Sequence, residues 1–188
     1  ALAGQWLYNS YGDQERFFFA DPAIVAGLFG WRKGLFMYTP LLVFAVAGMV
    51  LLWKQRSPFA LVITLFAPLN AYVILSWWCW WYGGGFGQRA FIDSYALMAL
   101  CVAVLLQWAV DHAWPWVRVA VIAPLMLVAA FGLYNNIQYY YGAIHWDSMT
   151  RDAYFDSLGR IRPSDRFPHL LRHPDYQAAM KGEFRKEK

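Results

Sequence analysis

The chain has 188 residues, of which 60% are hydrophobic and only 15% are charged, with a formal net charge of +4. A water-soluble domain of this size needs more polar side chains to cover its surface, so the composition excludes that class and indicates a protein embedded in lipid. The charges are mixed in sign and the basic residues are scattered, which argues against a nucleic-acid partner.

Residues 1–34 carry two apolar segments that precede the first full membrane span. Residues 1–8 are typical of the end of a longer apolar segment, and no signal peptide is evident. Residues 17–31 are apolar but short for a membrane span, and Asp21-Pro22 interrupts them. They predict an interfacial or re-entrant helix that Asp21 caps, with Pro22 at its first position; a short span is the alternative.

Four apolar stretches of about 20 residues follow, each long enough to cross the hydrocarbon core as a helix. They cover residues 35–53, 59–78, 91–110 and 116–134. Trp, Tyr or charged residues flank each stretch, as is typical of membrane–water interfaces. The connections are short, which predicts antiparallel neighbouring helices. The sequence therefore predicts an all-α, polytopic integral membrane protein with about four transmembrane helices within residues 35–134.

Residues 135–188 form a polar tail. Residues 135–141 indicate the solvated end of the fourth helix, residues 150–158 predict a short amphipathic helix, and short helices and turns are expected beyond them. We expect this tail to lie on the membrane-proximal surface.

Few residues are suited to catalysis or metal binding. His145 and Asp147 lack a nucleophile or third partner in sequence, which favours a surface turn. His169 and His173 have i, i+4 spacing but no companion ligand, which favours solvent-facing side chains and no metal site. The two cysteines lie in or near apolar runs, which predicts buried, unpaired thiols.

The strongest local motif is WWCWWYGGGFGQR at residues 77–89. Its tryptophans are typical of an aromatic belt at the membrane surface, but a belt has no need of glycines. The glycines permit positive φ and a close approach of the backbone to another group; they are Gly83, Gly84, Gly85 and Gly87. Convergent N–H groups, with Arg89 adding charge and paired donors, would bind a phosphate or pyrophosphate. A tight structural loop is the alternative.

A second basic motif, Arg32-Lys33, stands just before the first full span. Such a pair alone is typical of a snorkelling anchor. Because two spans separate it from Arg89, all three cations are expected on one side of the membrane, where they could converge on one anionic headgroup. Asp93 follows Arg89 by four residues, so an ion pair at the helix end is the alternative to a ligand role for Asp93.

The order of these motifs resembles a known family. The sequence RKGLFMYTP at residues 32–40 opens a span, a basic hairpin and a second span follow, and the motif at residues 77–89 leads into a third span. This order resembles the C-terminal half of bacterial GT-C superfamily membrane glycosyltransferases, of the dolichyl-phosphate-mannose mannosyltransferase-like type. Residues 144–154 are similar to the endings of Bacteroidota members. The resemblance covers nearly the whole chain, and the Gly-Arg motif is its most specific part.

The resemblance implies transfer of a sugar, with inversion, from a polyprenyl-phosphate carrier to an extracytoplasmic acceptor at the bacterial inner membrane. It implies that Arg89, Lys33 and Arg32 hold the carrier phosphate, and that the tail is extracytoplasmic, whereas the positive-inside rule alone is nearly tied. The family's acidic catalytic residues lie in an early loop that this sequence lacks, so no catalytic residue is assigned. The donor is a lipid-linked sugar, and no cofactor is implied.

Two other classes stay open from the sequence. One is a non-catalytic integral membrane subunit that docks its aromatic, glycine-rich loop against a larger complex. The other is a flippase or transporter, which needs a continuous polar path through its spans. The few polar residues at membrane depth, chiefly Asn70, argue against a transporter.

Overall fold

The computed structural model describes residues 15–183, so the predicted apolar segment at residues 1–8 lies outside the described residues. The described part is helical, with no strand longer than one isolated bridge. A 3₁₀ turn covers Arg89–Ser94. In chain order the helices are α1 (Ile24–Phe29), α2 (Leu35–Tyr38), α3 (Leu42–Lys54), α4 (Pro58–Leu75), α5 (Tyr95–Asp111), α6 (Pro115–Tyr140), α7 (Arg151–Ser157), α8 (Phe167–Leu170) and α9 (Tyr176–Met180).

The prediction of an all-α membrane protein is confirmed. Within residues 15–183, three helices are long and apolar enough to cross a membrane: α4, the continuous segment Arg89–Asp111, and α6. They have 18, 23 and 26 residues. The fourth apolar helix, α3, has 13 residues, which is about 20 Å of helix and shorter than the hydrocarbon core.

The first predicted span, residues 35–53, is not one helix. The chain forms α2, breaks at Thr39, and resumes as α3. Thr39 has φ −132° and ψ 60°, outside the helical region. Pro40 explains the break, because its ring disfavours the helical conformation of the preceding residue and it has no N–H to donate.

Two prolines start helices where the sequence turns. Ser57 accepts a hydrogen bond from the Phe59 N–H at 3.4 Å, and Pro58 occupies the first turn of α4. Pro115 has the same place in α6. At these positions the missing N–H of proline costs no helical hydrogen bond.

The membrane helices pack through small residues and polar pairs. Gly48 of α3 lies so close to α5 that an added Cβ would stand 1.8 Å from the Cys101 carbonyl oxygen. The Asn70 amide of α4 donates to Ser94 Oγ at 2.6 Å. Asn70 therefore joins helices instead of lining a path, and both cysteines are free and buried, as predicted.

The segment before α1 pairs with the chain after α4. The Phe18 N–H donates to the Ser76 carbonyl at 2.6 Å, and the Trp78 N–H donates to the Arg16 carbonyl at 3.2 Å. The predicted helix over residues 17–31 is shorter than expected, since α1 begins at Ile24 without a side-chain cap. The pairing explains this difference, because it holds residues 16–18 extended and moves the helix start past Asp21-Pro22.

The tail folds back on the C-terminal end of α6. Thr150 Oγ1 accepts from the Ala153 N–H at 3.1 Å and caps α7, which confirms the predicted short helix. Residues 135–140, predicted as a solvated end, continue α6, and Asn135 and Gln138 on this turn are buried. They are buried because the tail covers them.

Candidate functional site

The tryptophans after α4 form the floor of the glycine loop, residues 82–88. Trp78, Trp80 and Trp81 are 8%, 6% and 1% exposed, so they are part of the core and not a lipid-facing belt. The Tyr176 ring of α9 packs edge-on against Trp78 and Trp81, with centroids 6.3 and 5.5 Å away. Aromatic residues alone cannot distinguish a belt from a core, because both bury apolar rings beside a polar surface.

Lys33 is enclosed by the glycine loop. Its side chain is 1% exposed, and Nζ donates to the carbonyl oxygens of Gly83 and Gly85 at 2.7 and 2.8 Å. Burial, and next the positive charge of Arg89, lower the pKa of Lys33 to about 8. The negative charge of Asp147 opposes this shift. Lys33 therefore holds the loop in shape and adds positive charge behind it.

The loop turns carbonyl groups toward cations and leaves the amides of residues 84–88 unused. Gly83 and Gly87 have φ values of +56° and +58°, which glycine adopts at little cost. Arg89 Nη1 donates to the Gly84 carbonyl at 3.2 Å. Within the described residues, the N–H groups of residues 84–88 donate to no protein acceptor. The predicted donors of Gly84, Gly85 and Gly87 are therefore available to a ligand.

Arg89 is exposed and forms no ion pair with Asp93 in the part of the chain described here. The expected i, i+4 pair requires an α-helix, but these residues belong to a 3₁₀ turn. With three residues per turn, positions i and i+4 point about 120° apart. The guanidinium therefore keeps donors for an anion.

Two clefts meet at Arg89. The first, the membrane cleft, has a volume of about 600 Å³ and lies between α2, the 3₁₀ turn and α6. The second, the aromatic cleft, has a volume of about 780 Å³ and lies beside residues 15–19 and the loop. Besides Arg89, the membrane cleft is lined by Tyr38, Ile92, Val128 and Leu133 among others, and the aromatic cleft by Arg16, Phe17, Trp77, Trp78 and Tyr82 among others.

A buried indole also faces the aromatic cleft. Trp78 lines this cleft, and its Nε1–H has no acceptor within the described residues. A buried donor without a partner is uncommon in folded proteins, but this N–H is closed off from the surface and so does not itself indicate a ligand in the cleft. The cleft thus combines aromatic rings with two arginines, Arg16 and Arg89, and one carboxylate, Glu15.

Arg32 connects the site to the tail. Its Nη1 donates to the Asp147 carbonyl at 2.7 Å, and its guanidinium lies 5.6 Å from the Trp81 ring centroid. Of the three predicted cations, Lys33 and Arg89 thus meet at the glycine loop, whereas these contacts of Arg32 are with Asp147 and Trp81.

The tail contains a polar cluster that the sequence did not reveal. Asp147 is 1% exposed and accepts from Ser148 Oγ at 2.5 Å and Tyr176 Oη at 2.8 Å. Ser148 Oγ also lies 2.7 Å from His173 Nδ1, and His145 Nδ1 lies 3.2 Å from the Asp147 carboxylate. The expected surface turn is therefore wrong for Asp147, which is buried, whereas His169 and His173 are exposed as predicted, although His173 also bonds to Ser148. The partners are up to 29 residues apart, so spacing offered no signal.

This cluster is arranged for structure and not for nucleophilic attack. Ser148 is fully buried, and both Asp147 and His173 bond directly to it, whereas a triad requires the histidine between serine and aspartate. Burial lowers the pKa of His145, so its ring is neutral near pH 7 and accepts from nearby backbone N–H groups. The cluster locks the tail over the tryptophans.

Comparison with known proteins assigns no family: no family model matches the sequence, and neither do any curated proteins or solved structures. Within residues 15–183, no group of three or more His, Cys, Asp and Glu residues is placed to hold a metal ion. We therefore infer a function from the geometry around Arg89 and from the order of the sequence motifs.

Proposed function

We propose that this chain is part of a bacterial inner-membrane glycosyltransferase that moves a sugar from a polyprenyl-phosphate carrier to an extracytoplasmic acceptor. In this proposal the chain binds the carrier phosphate, and its tail is extracytoplasmic. The supporting observation is the place of Arg89, which is exposed where a cleft lined by membrane-helix residues meets a cleft lined by aromatic and charged residues. A lipid phosphate requires both surfaces, one for its chain and one for its headgroup.

Each predicted site residue has a separate part in this proposal. Arg89 binds the phosphate with paired donors, and the N–H groups of Gly84, Gly85 and Gly87 add hydrogen bonds. Lys33 keeps the loop in shape and contributes its charge from behind. Arg32 joins the loop region to the tail. Preorganised positive charge would stabilise the phosphate as it leaves the sugar and gains negative charge.

The first prediction concerns Arg89→Ala. This change removes a charged hydrogen-bond donor worth about 1.5–3 kcal/mol, so affinity for a polyprenyl phosphate should fall roughly ten- to hundredfold. Arg89→Lys keeps the charge but loses the paired geometry and should be intermediate. Binding is measured on purified protein in detergent by native mass spectrometry across a carrier titration.

Arg118→Ala is the matched control, because Arg118 is an exposed arginine near the start of α6, whereas the α6 residues that line the membrane cleft lie in the second half of the helix. It should bind the carrier as the wild type does. Equal affinity of the Arg89→Ala and Arg118→Ala proteins would reject the proposal. Carrier binding that depends on Arg89 would also favour the glycosyltransferase over the alternative of a non-catalytic subunit, which has no need of a lipid phosphate.

A further inference from the structure

The chain after α7 returns to the side of a membrane helix. Tyr134 Oη donates to the Arg160 carbonyl at 2.9 Å, and Gln138 Nε2 donates to the Ser157 and Arg160 carbonyls at 2.6 and 2.7 Å. Tyr134 lies six residues before the end of α6, about 9 Å back along the helix. This segment therefore lies beside the interfacial turns of α6 instead of projecting beyond them.

Apolar side chains project from this segment although it belongs to the polar tail. Phe155, Leu158 and Ile161 are 51%, 49% and 49% exposed. Next to the two docking residues of α6, Leu133 and Ile137 are also exposed. Exposed large apolar side chains next to a membrane helix are typical of a surface that contacts lipid.

Two arginines accompany these apolar side chains. Arg160 and Arg162 are exposed, and no acidic residue lies between positions 157 and 162. The Arg162 guanidinium lies 5.7 Å from the Tyr141 ring centroid, which directs it along the wet end of α6. Asp156, at the start of this segment, accepts a hydrogen bond from Ser164 Oγ at 2.5 Å, and Asp165 follows three residues after Arg162. Residues 155–162 thus carry two arginines and one aspartate, a net charge of +1, beside an apolar strip.

We propose that residues 155–162 form a membrane-surface rim that binds anionic phospholipid headgroups. Phe155, Leu158 and Ile161 enter the interfacial layer, and Arg160 and Arg162 contact the lipid phosphates. Amphipathic segments bind membranes through this combination of apolar burial and attraction to anionic lipid. The rim holds the tail, and with it the lid of α9 over the tryptophans, against one leaflet. It does not depend on the carrier proposal.

The second prediction tests this rim with the full chain in lipid nanodiscs. A fluorophore on Ile161→Cys should be quenched by headgroup-proximal spin-labelled lipid, more strongly with phosphatidylglycerol than with phosphatidylcholine alone. The native cysteines are both buried and free. The quenched fraction gives the ratio of molecules whose rim is docked on the membrane to molecules whose rim is not. Each of Arg160→Gln and Arg162→Gln should lower this ratio roughly fivefold in phosphatidylglycerol discs. A fluorophore on Leu158→Cys provides a second position should the first variant fold poorly.

Arg166→Gln is the matched control, since it removes the same charge from an exposed position outside the rim. It should leave the quenching unchanged. Absence of quenching at both labelled positions would overturn the proposal and indicate that protein or solvent covers this face. Quenching that is the same with and without phosphatidylglycerol, and the same in both arginine variants, would overturn the proposal that Arg160 and Arg162 contact anionic headgroups. Discs without polyprenyl phosphate keep the result separate from carrier binding.

Discussion

The protonation of Lys33, in the candidate site, depends on its surroundings. Its pKa falls from 10.5 to about 8, chiefly because burial disfavours the charged form. Between these two values the unfolded chain binds more protons than the folded chain, so the free energy of unfolding should rise with pH across this window. Below pH 8 both states are protonated and the contribution is constant.

The third prediction is that Lys33→Met removes this pH dependence and destabilises the protein. Two partly buried carbonyl groups lose their donor, which costs about 1–3 kcal/mol. In detergent, the unfolding temperature of the Lys33→Met protein should be lower than that of the wild type at pH 7. Between pH 8 and 10.5 it should rise less than the wild-type unfolding temperature does. Lys54→Met, which changes an exposed lysine, should follow the wild-type profile. Parallel profiles for the Lys33→Met and wild-type proteins would contradict the argument.

At the scale of elements, the contact between α3 and α5 depends on one glycine. Membrane helices gain little from the hydrophobic effect when they associate within lipid, so close backbone packing at small residues stabilises the pair. Gly48 supplies this approach next to Cys101. Gly132, in α6, has no atom within 4 Å of an added Cβ and therefore has no such role.

The fourth prediction compares two glycine-to-alanine changes. Gly48→Ala should destabilise the protein by about 1–3 kcal/mol or more, because the methyl group meets the backbone of α5. Gly132→Ala should be neutral or stabilise by up to about 1 kcal/mol, since alanine favours the helix. Thermal unfolding of the two variants in detergent measures the difference. An unfolding temperature for Gly48→Ala at or above that of Gly132→Ala would contradict the close contact between α3 and α5 at Gly48.

At the scale of the whole molecule, contacts between distant segments determine how often the chain crosses. Lys33 bonds to Gly83 and Gly85, so the start of α2 and the end of the α4 segment lie on the same side. Helix α4 is long and apolar enough to span, so we expect its first residue, Pro58, on the other side. In that arrangement we also expect the chain from Leu35 to Lys54 to cross, with α2 and α3 completing the crossing together.

The fifth prediction is a labelling pattern with single introduced cysteines. Gln55→Cys and Ala113→Cys should react from one side of the membrane, and Gly84→Cys and Gln177→Cys from the other. Under the proposed orientation, an impermeant maleimide added to spheroplasts labels the second pair, and the first pair reacts only after lysis. Labelling of Gln55→Cys together with Gly84→Cys would contradict the fourth crossing. The reverse pattern would reject the orientation alone.

The sequence alone determined the membrane class, the helical fold and the approximate places of the long helices. These follow from local properties, because an apolar run of sufficient length must satisfy its backbone within itself in lipid. It also predicted Arg89 and the glycines as candidate binding residues, since glycine and charge are visible as residue types. The break in the first predicted span was missed. Pro40 is a local signal for it, but the length of the apolar stretch over residues 35–53 favoured one continuous helix.

Only the tertiary structure decided what these residues contact. It placed Lys33 against the carbonyls of Gly83 and Gly85, buried the tryptophans under α9, and gave Asp147 partners from distant parts of the tail. These contacts join segments that sequence spacing does not relate. Which groups are buried together depends on how the helices and the tail pack, and packing energy is shared among many weak contacts that no single motif records.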